Sequence, residues 1–245
     1  ELSIDVQYGC QSTRQFYLYV LNAVERAGVF VHCFTGIETE IVRGFAIYED
    51  FLPIIGLNNE DRYPAKTFTI FHELVHLMKR SSAVCNDMIS HDLAQHEEVF
   101  CNAVAGEILV PKLNLIKQLG SLTTDEIDLN LISKLAAKFS VSKEVISRRL
   151  LDIGKISKSQ YSALTDAIRI SFENEREAIR ISRKNSGVKI PRNISREAID
   201  QNSPSLCRTF YNGFREGYFD KQDVARYLGI KQQHVDKFMR EVSRW

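Results

Sequence analysis

The sequence predicts an α+β fold: a small mixed or antiparallel sheet packed on two helices, followed by an all-α C-terminal half. Three observations carry this expectation. Residues 29–58 hold three short runs rich in β-branched and aromatic residues, the composition of strands. From Thr67 to Leu109 apolar residues recur at three- and four-residue spacing, the period of helices that bury one stripe. Beyond residue 120 the apolar pattern is helical throughout.

In chain order, Ser12–Arg26 reads as an amphipathic helix with Phe16, Leu18, Val20, Leu21 and Val24 apolar, ended by Gly28. Val29–Phe34 is the first strand. Gly44–Tyr48 and Pro53–Asn58 are two more, joined through Glu49 and Asp50. Ile54, Ile55, Gly56 and Leu57 are read as a candidate sheet edge to which an extended peptide can add, with a plain core strand as the equal alternative. A helix follows, and Thr67 can cap its start. Phe68, Phe71, Leu74, Val75 and Met78 form its buried stripe. After a loop over residues 81–91, Leu93–Leu109 is a second helix with Val99, Phe100, Ala103 and Val104 on its apolar side; Pro111 stops it.

The chemistry lies in His72-Glu73-Leu74-Val75-His76. On a helix this pentapeptide places two imidazoles one turn apart on one face, beside a carboxylate. Two neutral imidazoles at that spacing can bind one Zn²⁺, and the intervening Glu can take a proton from water. The third ligand should come from a second element. Glu98 offers it, one turn before Asn102 on the next helix and 22 residues after His76. Sheet, HExxH helix and ligand helix together make a zincin-like layout. Three protein ligands leave one coordination position open, which suits catalysis better than a closed structural site. Mn²⁺ and Fe²⁺ are alternatives to Zn²⁺ for such donors. Tyr63 and His91 are the nearby candidates for a further hydrogen-bond donor to the reacting group. His96, two residues before Glu98, points off the ligand face.

Composition bounds the rest. With 44% apolar and 26% charged residues in 245, the chain has the balance of a soluble globular protein. No run approaches the ~20 apolar residues that span a bilayer, and no signal-peptide pattern opens the chain, so a cytoplasmic location is expected. Five cysteines without a C-x-x-C pair suit reduced thiols. Residues 1–120 carry 9 Lys/Arg against 15 Asp/Glu, and residues 121–245 carry 23 against 16. The basic half can favour DNA or an acidic partner, though its excess is small for a dedicated DNA binder.

The segments Gly44–Ile47, Ile54–Asn58, Thr67–His76 and Glu98–Pro111 together resemble the ImmA/IrrE family of metallo-endopeptidases. That family shows an F-T-x-x-H-E-x-x-H helix followed by E-x-x-A-N-x-F-A-x-x-L-L-x-P. The resemblance covers roughly residues 12–170, and Glu98, Asn102 and Pro111 fall in register together. It implies His72, His76 and Glu98 as zinc ligands, Glu73 as the catalytic base and Asn102 as a group supporting the ligands. Cys101 stands where Ala is usual and Val104 where Phe is usual. The resemblance also implies a protein substrate, a helix-turn-helix transcriptional repressor whose cleavage relieves repression in a stress response or in control of a mobile element or phage. A DNA-binding domain preceding the protease, where the family has one, would lie upstream of Glu1 or be absent.

Three segments are expected: a zincin-like domain at 1–120, a helical subdomain at 121–182 and a C-terminal helical module at 183–245. In the second, Leu131–Phe139, a Val141-Ser142 turn and Lys143–Leu151 have a helix-turn-helix cadence, with Lys143, Arg148 and Arg149 able to meet DNA. A scaffolding or substrate-docking role is favoured there. Ser157–Ile181 is a long helix with Tyr161, Leu164, Ile168 and Phe172 on one face, and 183–193 reads as a linker. Asp223–Val235 repeats the helix-turn-helix cadence, with a docking or oligomerising module as its default role. The reading that follows is a zinc endopeptidase acting on a repressor; the alternative is a DNA- or repressor-binding regulator with a structural or vestigial metal site.

Overall fold

Ser3 and Ser12 lie in extended backbone and accept main-chain N–H groups of Asp5 and Gln15 through their hydroxyls, which starts α1 (Ile4–Gly9) and α2 (Thr13–Arg26). The computed structural model describes residues 3–81, 83–85, 92–186 and 193–244. Gly28, at φ +92°, turns the chain out of α2 into β1 (Phe30–Phe34). β2 (Gly44–Ile47) and β3 (Ile54–Asn58) follow, then α3 (Tyr63–Met78). A short strand, β4 (Ala83–Cys85), occupies part of the expected loop. α4 (Asp92–Leu109) and α5 (Lys112–Leu119) meet at Pro111. The remainder is helical: α6 (Leu129–Lys138), α7 (Lys143–Asp152), α8 (Lys158–Ser186), α9 (Ile194–Gln201), α10 (Pro204–Arg215), α11 (Lys221–Tyr227) and α12 (Val235–Val242). α8 continues through Ser186, into the expected linker, and residues 187–192 lie outside the described residues.

The sheet is mixed, in the order β1-β3-β2-β4. β3 runs parallel to β1, with Phe30 opposite Ile54, and antiparallel to β2, with Gly44 opposite Leu57. β2 pairs in turn with β4, Gly44 opposite Cys85. The expectation that Ile54, Ile55, Gly56 and Leu57 form a sheet edge is therefore corrected. β3 is hydrogen-bonded on both sides, so it has no open row of donors and acceptors for an added peptide. Residues 55–58 are all buried, as in an interior strand, and at this length such an apolar run reads the same from sequence as an edge. Gly56 serves packing: a Cβ there would lie 2.2 Å from the Phe45 ring, so the ring crosses β3 where no side chain stands.

One apolar core runs from Phe16 to Ile156 and takes in Ile55, Ile70, Ala105, Ile132 and Ile146. The chain to residue 120 and the helices α6 and α7 thus bury their apolar faces against each other. Buried Gln7 fastens them further, its amide donating to Leu109 O at 2.9 Å and Phe139 O at 2.5 Å. A second core, including Ile199, Cys207, Phe210, Val224, Val235 and Phe238, holds α9–α12 together. Arg14 to Asp200, at 2.5 Å, and Ser205 to Glu25, at 2.8 Å, tie that module to α2. No single helix among the described residues is long and apolar enough to cross a membrane.

Two helix faces differ from the sequence expectation. Met78, at the end of α3, is 82% exposed, and Val99 and Phe100 of α4 are 52% and 53% exposed. α4 buries Cys101, Ala105 and Leu109 instead, one residue per turn. From Val99 to Leu109 the helix is apolar on nearly every side, so periodicity alone does not single out a buried face.

Candidate metal centre

α3 begins earlier than Thr67. Arg62 occupies the N-cap position in extended backbone and Pro64 sits in the first turn, where a missing N–H costs nothing. Thr67 lies inside the helix and donates to Tyr63 O at 2.9 Å. The helix packs on β2 and β3 and buries His72, Glu73 and His76 almost completely.

The two imidazoles meet tip to tip: His72 Nε2 and His76 Nε2 are 3.2 Å apart. α4 brings Glu98 to both, one carboxylate oxygen 3.0 Å from His72 Nε2 and the other 3.3 Å from His76 Nε2. Behind the ring, His72 Nδ1 is 2.9 Å from Asn102 Oδ1. An amide oxygen can only accept, so Nδ1 carries a proton towards Asn102, and Nε2 is the ring atom that faces Glu98. Around His76 Nδ1 stand Ser81 Oγ at 3.5 Å and Glu97 at 3.6 Å; Glu97 is held in turn by Lys79 at 2.7 Å. Glu73 packs over β2, with an oxygen 3.3 Å from the position a Cβ on Gly44 would take.

The model of the Peptidase M78 family, the IrrE N-terminal-like domain, matches residues 24–151, more than half of the chain. The chain belongs to this family. No curated protein and no solved structure matches it. Membership in Peptidase M78 carries a metallopeptidase-type function and implies a metal ion. The matched segment runs from the end of α2 through α7, so it contains the sheet, the α3 motif and the α4 carboxylate.

The Peptidase M78 residues fit such an ion. Zinc–ligand bonds of about 2.0–2.1 Å at tetrahedral angles put neighbouring ligand atoms ~3.3 Å apart. The two Nε2 atoms stand 3.2 Å apart, with one Glu98 oxygen 3.0 Å from His72 Nε2 and the other 3.3 Å from His76 Nε2. Burial pushes the Glu98 carboxyl up, but hydrogen bonds and charge from His72 and His76 outweigh it and hold it at about 2. Cys101 also belongs to the cluster: ligand atoms of His72, His76 and Cys101 lie within 4.8 Å of one another. Burial, with Glu98 and Glu97 next, pushes that thiol up to about 12.

A cleft of about 420 Å³ opens on the His72 side. Phe68 and Thr69 of α3 form one wall, Val99 and Asn102 of α4 the other, while α7 and α8 contribute Val145 and Tyr161. Tyr161 and Arg43 were not singled out for the site from sequence. They reach it from α8 and from the residue before β2, and no local pattern marks that approach. Tyr63, a candidate donor, is not at the site. It stands nine residues before His72, about 13 Å along the helix axis, and its hydroxyl donates to Asp200 at 3.3 Å. Sequence proximity misled because a helix carries its first turn far from its third. His91, the other candidate donor, lies outside the described residues, and His96 is exposed as expected.

Proposed function

We propose that this chain is a zinc-dependent endopeptidase that cleaves a protein substrate, a helix-turn-helix transcriptional repressor, and so relieves repression. The observation that carries the reading is the convergence of the Glu98 carboxylate on both imidazole tips of the α3 motif. In this reading His72, His76 and Glu98 hold the metal, and Asn102 fixes the orientation of His72. Mn²⁺ and Fe²⁺ suit the same nitrogen and oxygen donors. When bound, the ion supplies Lewis acidity towards water and the scissile carbonyl. Glu73 takes the proton from the attacking water and delivers it to the leaving amine as the C–N bond breaks. The cleft beside His72, where Phe68, Val99, Val145 and Tyr161 stand among Arg43, Glu144 and Arg148, receives a substrate side chain.

The deciding experiment incubates the full chain and its Glu73→Gln variant, each loaded with Zn²⁺ or Mn²⁺, with candidate helix-turn-helix repressors. Intact mass reads cleavage, and elemental analysis reads metal content. One metal per chain in both proteins, with cutting by the wild type alone, supports the reading. Equal cutting by both, or no metal in either, overturns it. Metal in both without cutting of any repressor would favour the regulator with a structural site.

A further inference from the structure

Two segments share a helix-turn-helix cadence, and the structure treats them differently. In the first, α6–α7, the second helix is not free. Arg149 is buried against α4, Arg148 pairs with Asp152 at 3.1 Å, and Val145 lines the cleft. In the second, α11 leads through Leu228-Gly229-Ile230, with Gly229 at φ +65°, into a tight turn of helix at Gln232–His234 and then α12. Val235, Phe238, Met239 and Val242 bury one stripe of α12 among α9, α10 and α11.

The opposite stripe faces solvent. Gln233, Lys237 and Arg240 recur at four and three positions, with Arg244 just past the helix end, and all four are exposed. Among the described residues no carboxylate pairs with Lys231, Lys237, Arg240 or Arg244. Of the carboxylates that flank this side, Asp236 is held by Lys221 at 2.7 Å and Glu241, one turn after Lys237, is half-buried. No large apolar residue of α12 is exposed, so the face lacks the anchors that a protein interface uses at its centre.

We propose that α11–α12 is a helix-turn-helix that docks on duplex DNA with α12 in the major groove. Lys231, Lys237, Arg240 and Arg244 meet phosphates, and Gln233 reaches a base edge. Charge complementarity selects DNA as the occupant: a stripe of cations without carboxylate partners on a narrow convex helix matches phosphate-lined groove walls. The module's overall charge is nearly balanced, so the attraction is local to this face. The inference does not depend on the peptidase reading.

The test is fluorescence anisotropy of the full chain with a labelled random-sequence duplex between 50 and 200 mM salt. Neutralising about four phosphates predicts a log–log salt slope of about −3.6. The double variant Lys237→Glu/Arg240→Glu should bind at least ~10-fold more weakly at the lowest salt, and Lys237→Gln/Arg240→Gln should do so in part. Arg169→Glu, a surface change on α8, should stay within ~2-fold of wild type. Glu73→Gln should not change DNA affinity, which separates this result from that of the peptidase. Circular dichroism of each variant guards against misfolding. Absence of salt-dependent binding by the wild type, or equal binding by both double variants, overturns the proposal. So does loss of protein-substrate capture, without change in DNA affinity, in the double variants.

Discussion

Asn102 Oδ1 stands 2.9 Å from His72 Nδ1, so the residue that orients one imidazole comes from the same helix face as Glu98. One turn of α4 therefore supplies both a carboxylate at the front of the ring and an acceptor behind it. A ligand histidine whose second nitrogen is held keeps its tautomer and direction, and losing such a partner typically weakens metal binding about 10- to 100-fold. Asn102→Ala should do this while leaving the thermal midpoint of the metal-free protein nearly unchanged, since the side chain is exposed. Asn102→Asp should retain most of the affinity because it accepts the same proton. Chelator competition measures all three proteins.

Gly44 sets how closely α3 approaches β2. A Cβ there would come within 2.3 Å of Thr69 Cγ2, 2.9 Å of Gly56 O and 3.3 Å of a Glu73 oxygen. Gly44→Ala must push the helix outward or turn Glu73, and overpacking of this kind costs about 1–3 kcal/mol. Activity should fall further than stability, by at least ~10-fold, because Glu73, the group proposed to transfer the proton, is displaced. Thr69→Ser removes the methyl that meets the new Cβ, so the double variant should recover part of both losses. Urea denaturation and peptidase rate on the same preparations separate the two effects.

What was legible in the sequence was local. The strands at Phe30–Phe34, Gly44–Ile47 and Ile54–Asn58, and the helices carrying His72 and Glu98, lie within a residue or two of their expected bounds except at the start of α3. Alternation and three-to-four spacing report on single elements, and so do His72, Glu73 and His76. Pairing between elements is another matter. Nothing within Ile54–Leu57 says that strands flank it on both sides, and nothing within Tyr161 says that α8 brings it to the cleft. Arg149 shows the limit most clearly: in sequence it is one more cation on a basic helix, and in the fold it is the buried tie to α4.

Lys66 is buried on α3, its ammonium donating to Asn59 Oδ1 at 2.6 Å and lying 5.7 Å from the Tyr63 ring. Burial is the largest influence and lowers its pKa, outweighing the charges of Cys33 and Asp200, which raise it. The folded pKa thus lies below the unfolded one. The unfolded chain holds more protons between the two values, and stability rises with pH across that window. Lys66→Met keeps the volume and removes the charge, so it should stabilise the protein by about 1 kcal/mol at neutral pH. The difference from wild type should shrink at alkaline pH as Lys66 loses its proton. Thermal melts at a series of pH values test this, and a difference that grows with pH would contradict it.

Arg149 joins α7 to the end of α4 through Val110 and Glu107, and contacts Asp152 on its own helix. Its Nε donates to Val110 O at 3.1 Å, one terminal nitrogen binds Glu107 and the other lies 3.6 Å from Asp152. The stem crosses Gly106, where a Cβ would stand 3.1 Å from Arg149 Cδ. Removing the guanidinium strands the Val110 carbonyl, while half-exposed Glu107 turns to water and Asp152 keeps Arg148, so Arg149→Ala should cost about 2 kcal/mol. Arg149→Lys should recover little, because a single ammonium cannot reach all three acceptors in one plane. Arg148→Ala, one residue earlier and exposed, should cost less than ~1 kcal/mol. α4 also carries Glu98 and Asn102, so loosening its C-terminal half in Arg149→Ala should weaken metal binding as well. Urea denaturation with and without Zn²⁺ reads both effects: the metal should stabilise Arg149→Ala by less than it stabilises the wild type. An equal gain in the two proteins would mean that the α7 anchor supports the fold without reaching the site.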